Sequence, residues 1–349
     1  MIKKIRISEL KNIFLFPYAK IRHAAYIIKK FKYKIALVIN GKKLIGTITN
    51  GDIRRNLLKG LDLDDPVNII TKKKPTIIVK KTNVDDIGKI MNEKKILSVP
   101  YLNKYGDILG LYHKTINKKL KNKTDIVIMA GGKGKRLWPL TKNCPKPMLK
   151  VNGKPMLENL LAKTKSFGYG NFIISLNYLP LVIKNYFKNG AKWKVNISYL
   201  NERKPLGTCG ALSLLRDKVS ENFILMNCDV VTGLNIYDLE QYHIRNNAFI
   251  TVAAHIKKSE IQYGILETNG INLKKIYEKP ILNHNINAGI YVFNNKITKI
   301  IKKNRKYDIP DILKISIKQK KKVIVYPIYE SWTDIGLFQE LENIRNKKP

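Results

Sequence analysis

Three glycines and three cations share the run Gly131-Gly132-Lys133-Gly134-Lys135-Arg136. Residues without a Cβ take positive φ and leave room, so the backbone amides of such a loop can close on an anion while the cations neutralise it. Further on, Lys146 stands between Pro145 and Pro147, two rings that stiffen the backbone under its charge. These residue types suit a triphosphate cradle. The amides of Gly131, Gly132 and Gly134 would hold phosphate oxygens, Arg136 the outer phosphates, and Lys146 the phosphorus under attack. Two carboxylates extend the set. Asp229 closes the apolar run Phe223–Cys228, where a charge has no packing purpose, and Asp334 lies in Ser331-Trp332-Thr333-Asp334-Ile335-Gly336. Singly, either aspartate reads as well as a helix N-cap. Together with the loop they compose a site for Mg2+ and a triphosphate.

Two better-known glycine loops are excluded. A Walker A loop needs Ser or Thr after its Gly-Lys, but Arg136 follows Gly134-Lys135, and Met129 takes the first glycine position. A dinucleotide fingerprint begins at Gly132-Lys133-Gly134, but Leu137 occupies its third glycine position.

The elements around these residues follow from hydropathy patterning. Ile126–Ala130 reads as a buried strand opening into the loop. Further apolar runs at 172–176, 196–200, 223–227, 249–254, 289–293 and 323–326 alternate with helical patterns such as 155–161. Alternation of this kind predicts an α/β fold: a mixed, mainly parallel sheet with helices on both faces, and ligands at the carboxyl ends of its strands.

At 349 residues the chain has length for two cored domains. The net charge of +40 raises the question of nucleic acid. The excess is spread, however. Residues 1–120 carry 27 Lys+Arg and 9 Asp+Glu (+18), and the remainder 39 and 17 (+22). Only ten of the 66 cations are arginine, the residue suited to bidentate recognition of bases and phosphates. We therefore expect solvated lysines, no nucleic-acid partner, and a field that draws in small anions. No apolar stretch of about 18 residues is present, so no membrane span is expected. The N-terminus has no secretion-signal pattern, and Cys144, Cys209 and Cys228 show no paired spacing. These features read as a reduced, cytoplasmic setting.

Residues 1–120 hold a weak internal repeat. One copy runs from a helical pattern at 24–29 through 35–39, a turn at Asn40-Gly41, and 44–55. The other runs from 84–91 through 97–102, a turn at 104–107, and 108–113. Gly46 and Gly110 occupy equivalent places, 64 residues apart. Each copy alone has too little core, so the two should pack together. The segment resembles a tandem CBS (Bateman) module. In that family a Thr/Ser-x-x-Asp motif holds the ribose of an adenine nucleotide. The first copy has it as Thr49-Asn50-Gly51-Asp52, whereas the second reads His113-Lys114-Thr115-Ile116 and lacks the carboxylate. The resemblance thus implies at most one regulatory nucleotide, at Thr49 and Asp52, and pairing of subunits through the module. Residues 120–124 read as a linker, leaving 125–349 as the second domain.

That second domain resembles the sugar-1-phosphate nucleotidylyltransferases. The resemblance rests on six motifs in order: residues 131–158, Leu206–Leu212, Asn227–Val230, Glu278-Lys279-Pro280, Asn287–Tyr291 and Trp332–Gly336. Cys209 departs from the pattern, where a smaller alanine is commoner. The resemblance implies a Rossmann-like nucleotidyltransferase fold and an in-line attack of the sugar-1-phosphate oxygen on the α-phosphorus, with pyrophosphate leaving. It also implies roles: Gly207 and Thr208 beneath the base and ribose, Glu278, Gly264 and Asn287 on the sugar, Lys279 on its phosphate, and Mg2+ on Asp229 and Asp334.

Glu202 falls where relatives contact the base edge. A carboxylate only accepts hydrogen bonds. Guanine offers adjacent N1–H and N2–H2 donors, whereas uracil and thymine flank one N–H with carbonyl oxygens. GTP is therefore the expected substrate. The alternative is a surface glutamate in the charged turn Glu202-Arg203-Lys204. A tandem CBS module ahead of this domain resembles the guanylyltransferases of bacterial legionaminic acid synthesis, which implies glucosamine-1-phosphate. Mannose-1-phosphate, a uridylyl or thymidylyl enzyme, and a nucleotide sensor with a retired catalytic domain are the alternatives.

Overall fold

A computed structural model describes residues 1–79, 82–115, 122–216 and 218–346. Two compact units, Met1–Asn117 and Lys118–Pro349, divide the chain.

In the first unit the repeat is visible as two three-stranded sheets. Helix Ile21–Lys30 buries Ile21, Ala24, Ala25, Ile27 and Ile28 on one stripe. The hairpin Ile35–Asn40 and Lys43–Thr49 follows, turning at Gly41 (φ +60°), and helix Asn50–Leu57 comes next. The second copy has helix Val84–Glu93 and the hairpin Ser98–Leu102 and Ile108–Lys114, turning at Gly106 (φ +86°). An upstream segment pairs in parallel with the first hairpin strand of each copy: Phe14 lies opposite Leu37 and Ile78 opposite Tyr101. Both pairs keep the offset of 64 that separates Gly46 from Gly110. At each of these glycines a Cβ would fall 2.5 Å from a backbone oxygen, that of Lys72 or of Ile5. Glycine is required there because an outer segment lies directly against the hairpin. The copies join turn to turn, Leu44 N–H donating to Gly106 O (3.1 Å) and Ile108 N–H to Lys42 O (3.1 Å). Ile116 of the second motif lies outside the described residues, as do Leu120 and Lys121 of the expected linker.

The second half of that linker is part of the second unit. Asn122 and Thr124 donate their side-chain hydrogen bonds to Glu240, which also accepts from the Tyr169 hydroxyl (2.7 Å). Glu240 is 2% exposed, and a carboxylate at that depth persists only because such donors surround it.

The second unit is built on a seven-stranded sheet. Its spatial order is Asn196–Asn201, Asn171–Leu176, Ile126–Met129, Asn222–Asn227, Ile281–Asn294, Ile250–Glu260 and Val323–Ile328. The first four strands run parallel, Ile281–Asn294 runs against both of its neighbours, and Val323–Ile328 is parallel to Ile250–Glu260. This is the mixed, mainly parallel Rossmann-like α/β sheet expected. The run anticipated at 289–293 is the end of a much longer strand. Along Ile126–Met129 side chains alternate between layers. Ile126 and Ile128 pack with Leu157, Leu161 and Phe187, and Val127 with Leu212, Leu215 and Ile312. Both faces are covered, so the strands read as continuous apolar runs. Met129 pairs with Ser175 on one side and Asn227 on the other. The glycine loop, residues 175–177 and residues 227–229 therefore leave the sheet at one edge.

Candidate active site

The glycine loop leaves Ile126–Met129 and is shaped by close approach. Gly134 takes φ +62°, and a Cβ there would stand 3.1 Å from the Cβ of Lys146 and from Cγ2 of Thr141. The buried Thr141 donates its hydroxyl to Gly134 O (2.9 Å). A Cβ on Gly131 would meet Asn177 and Oε1 of Glu202, all at 3.2 Å, whereas Gly132 faces open space. Lys146 begins the 3-10 turn Lys146–Met148, with extended Pro145 before it.

Asp229 follows strand Asn222–Asn227. Strands Val230–Thr232 and Trp332–Asp334 form an antiparallel ribbon with Val230 opposite Asp334, and Ile335 N–H donates to Asp229 O (3.0 Å). Two carboxylates more than a hundred residues apart in sequence thus become neighbours. Neither is an N-cap. Lys146 pairs with Oδ2 of Asp229, and the two side chains are only 12% and 19% exposed. Arg136 reaches the other side, its Nη1 3.5 Å from where a Cβ on Gly336 would stand, with Asp334 Oδ2 3.6 Å from the same point.

The charges here are unbalanced toward the carboxylates. Burial, and then the like charge of Asp229, pushes the Asp334 carboxyl above its ordinary range, while Lys146 and Arg136 oppose that shift. Oδ1 of Asp229 and Oδ1 of Asp334 are buried with no hydrogen-bond partner. Two hard oxygens of this kind fit Mg2+, which takes one or two carboxylates and completes its shell with phosphate and water. No cluster of three or more His, Cys, Asp or Glu suited to a metal occurs among the described residues. Substrate oxygens and water would supply the rest of the shell.

Glu202 is no surface residue. It is 9% exposed, and Oε1 accepts from the Ser175 hydroxyl (2.6 Å) while Oε2 accepts from Leu206 N–H (3.0 Å). Its carboxylate therefore stands beside Gly131 in a set orientation. Gly207 and Thr208 lie in a loop docked on the start of helix Ile309–Lys318. Gly207 (φ +79°) has no room for a Cβ, which would fall 2.5 Å from Tyr307 O. The Thr208 amide and hydroxyl both donate to Asp308 Oδ1 (2.9 and 3.2 Å). Cys209 is fully buried, and burial raises its thiol pKa.

Glu278, Lys279 and Gly264 form a second group at the base of the ribbon Ile265–Asn269 and Asn272–Tyr277. Oε2 of Glu278 lies 3.1 Å from the Cβ position of Gly264. Lys279 has φ +42° immediately before Pro280, a conformation both disfavoured and costly. Asn287 accepts from Gly289 N–H (3.0 Å) and from the Tyr291 hydroxyl (2.7 Å). Gly289 abuts Asn227, and Ala288 O accepts from the Trp332 indole (2.9 Å). The strand carrying Asn287 is thereby wedged between the segments that bear the two aspartates.

In the first unit Asp52 is buried. Its Oδ2 accepts from the Thr49 amide (2.8 Å) and hydroxyl (2.6 Å), and Arg55 pairs with Oδ1. His113, at the equivalent place in the second copy, is also buried and bonds the Ser98 hydroxyl (3.0 Å).

Three residues that shape the site escaped the sequence reading. Glu340 accepts from Gly336 N–H and Leu337 N–H, both at 2.8 Å, and so closes the turn after Asp334. Ser175 and Thr141 orient Glu202 and Gly134. The polar Ser175 inside Phe172–Leu176 was a visible signal; Thr141 and Glu340 carried none that is local.

A carboxyl with a higher pKa in the folded than in the unfolded chain binds its proton more tightly when folded. Ionised above that pKa, it subtracts stability, an effect absent below the ordinary carboxylate range. Asp334→Asn should therefore raise the Tm of the metal-free protein at neutral pH by a few degrees, on the order expected for a domain of this size, with the gain vanishing in acid. A Tm unchanged or lowered at neutral pH would contradict this charge balance.

A family model described as nucleotidyl transferase matches residues 125–348, and one for the CBS domain matches residues 7–59. Mannose-1-phosphate guanylyltransferase 1 of Arabidopsis thaliana is 30% identical over 241 residues, covering 64% of this chain and 66% of that protein. The bifunctional protein GlmU of Methanocaldococcus jannaschii is 32% identical over 221 residues, covering 61% and 51%. The chain spans about half to two thirds of the length of the curated relatives it matches. Among solved structures, HddC from Yersinia pseudotuberculosis superposes with a TM-score of 0.52 at 24% identity, covering 64% of this chain and 99% of that one. A glucose-1-phosphate thymidylyltransferase fold from Bacillus anthracis gives 0.51 at 21%, covering 64% and 94%. With the match running from the glycine loop to nearly the last residue, the chain belongs to the nucleotidyl transferase family and carries a CBS domain ahead of that fold.

Proposed function

We propose that this protein transfers GMP from GTP to a sugar-1-phosphate, releasing pyrophosphate and forming a GDP-sugar. The observation that carries the reading is the meeting of Asp229 and Asp334, each with a buried unbonded oxygen, beside Lys146, Arg136 and the glycine loop. The phosphate oxygen of the sugar attacks the α-phosphorus, a new P–O bond forms in line, and the bond to the β-phosphate oxygen breaks. Several negative groups must converge, so alignment and neutralisation are the main demands. Lys146 takes the α-phosphate and Arg136 the departing pyrophosphate, a reading supported by their positions beside Asp229 and Asp334. The amides of Gly131, Gly132 and Gly134 hold phosphate oxygens. Asp229 and Asp334 would hold Mg2+, which would supply neutralisation of the converging negative charge. Lys279 takes the sugar phosphate, and its strained backbone is consistent with a residue held for binding rather than for packing. Glu278, Gly264 and Asn287 bound the sugar.

Glu202 supports guanine. With one bond accepted at each oxygen, the carboxylate retains lone pairs that N1–H and N2–H2 of guanine satisfy together. Gly207 and Thr208 support the base and ribose through a loop that Asp308 secures. For the acceptor we favour glucosamine-1-phosphate, on the combination of a paired CBS module with this transferase. Mannose-1-phosphate is a second reading, favoured by the names of several of the relatives. The CBS pair is proposed to hold a regulatory nucleotide at Thr49 and Asp52 and to join subunits, with Arg55 giving way to ribose hydroxyls.

Pyrophosphate release measured over a panel of triphosphates and sugar phosphates tests the whole reading. Asp229→Asn should abolish nearly all turnover while the fold persists, and Arg136→Ala or Lys146→Ala should each cost roughly 10²-fold or more. Full magnesium-dependent activity in the Asp229 variant would remove the metal assignment. GTP should be turned over far better than UTP or dTTP, with Glu202→Gln narrowing the gap; a preference for UTP in the purified enzyme would end the guanine argument. Adenine or guanine nucleotides should raise the Tm of the first unit's transition in the full chain, and Asp52→Asn should lose that rise. Equal Tm with and without them would leave the module purely structural.

A further inference from the structure

Outside the cradle, the second unit carries a groove of about 810 Å³ whose ten lining residues include Arg203, Lys204, Arg216, Lys218 and Lys303. Half of the described lining is thus cationic, against 66 Lys and Arg in 349 residues overall. None of these described residues is acidic; Asp217, between Arg216 and Lys218 in sequence, lies outside the described residues. The nearby Asp308 is already bonded to Thr208 and caps helix Ile309–Lys318. Two of the five cations are arginine, although arginine supplies only ten of the chain's 66.

Three stretches of chain line the groove, and the backbone adjoining them is bonded across. Leu206 O accepts from Tyr307 N–H (3.0 Å), and Tyr307 O accepts from the amides of Cys209 and Gly210 (3.0 and 3.1 Å). A Cβ on Gly210 would lie 2.8 Å from Arg305 O, so the backbone from which the exposed cations project is closely packed. Like charges gathered in this way repel, and an anion shared among them removes the repulsion. Guanidinium groups add paired donors that match phosphate oxygens.

A second basic groove makes the contrast. It measures about 560 Å³ and carries Lys296, Lys299, Lys320, Lys321 and Lys322, with no arginine. There Lys322 donates to Asn246 O (2.5 Å), and Lys321 sits over the Phe249 ring at 5.7 Å. Two of its charges are thus engaged by their own chain.

We propose that the groove lined by Arg203, Arg216 and Lys303 is a second polyphosphate site, taking the di- or triphosphate group of a nucleotide or an inorganic polyphosphate. It is separate from the cradle, since Gly131, Gly134, Asn177 and Asp229 do not line it. It does share a wall with it. Arg203 and Lys204 lie within the turn that the bond from Leu206 N–H to Glu202 closes, so an anion held there bears on the residue assigned to the base.

Calorimetric titration of the full chain with inorganic triphosphate, at fixed ionic strength, tests the site. The wild type should bind two equivalents, one at the cradle and one at the groove. Arg216→Gln/Lys303→Gln should lose one equivalent or weaken it by about tenfold or more. Arg203→Gln/Lys218→Gln, on other parts of the lining, should do the same. All these side chains are exposed, so unliganded Tm should be unchanged. Lys296→Gln/Lys320→Gln, of equal charge change in the other groove, should leave both equivalents intact. An isotherm unaltered by both groove variants, or weakened equally by the lysine-groove variant, overturns the proposal. One equivalent in the wild type that the groove variants remove would uphold this site and count instead against the cradle.

Discussion

The site depends on keeping two carboxylates side by side. Asp229 and Asp334 repel, and burial makes the repulsion more costly. The backbone ribbon that pairs Val230 with Asp334 prevents them from parting. Lys146 and Arg136 answer the charge from the glycine-loop side. Glu340, which ties the turn after Asp334, adds a third negative charge to the region instead of relieving it. The metal-free protein therefore holds an excess of negative charge that a bound cation would discharge. Buried like charges of this kind subtract stability from the unliganded fold.

The sheet makes this arrangement possible through one repeated choice. The parallel strands at its centre end in polar or flexible residues on the same edge: Gly131 after Ile126–Met129, Asn177 after Asn171–Leu176, and Asp229 after Asn222–Asn227. Within the strands the residues are apolar on both faces, because both faces are covered. Ser175 is the exception, fully buried, and its hydroxyl holds Glu202 in place. The antiparallel strand Ile281–Asn294 brings the remaining pieces. Its far end leads to Glu278 and Lys279, and its middle is wedged against Asn227 and Trp332.

Glycines mark the closest approaches. Gly46 and Gly110, equivalent by repeat, admit a neighbouring backbone, and Gly207 does so against Tyr307. Gly132 meets nothing, so its side of the loop remains open to a ligand.

The sequence by itself determined the fold class, the alternation of strand and helix, the offset of the repeat, and the residues able to do phosphate chemistry. These are local properties, set by hydropathy period and by what glycine, proline, lysine and aspartate can do in any chain. Only the tertiary structure decided which of them meet. It made Asp229 and Asp334 neighbours, decided for Glu202 between a surface turn and a buried wall, and tied Asn122 and Thr124 to Glu240 where a linker was expected. It also recruited Thr141 and Glu340, and it gathered Arg203, Arg216 and Lys303 into one groove. Contacts between residues far apart in sequence are set by how strands are ordered in a sheet, and nothing in the local pattern of any one strand specifies its neighbour.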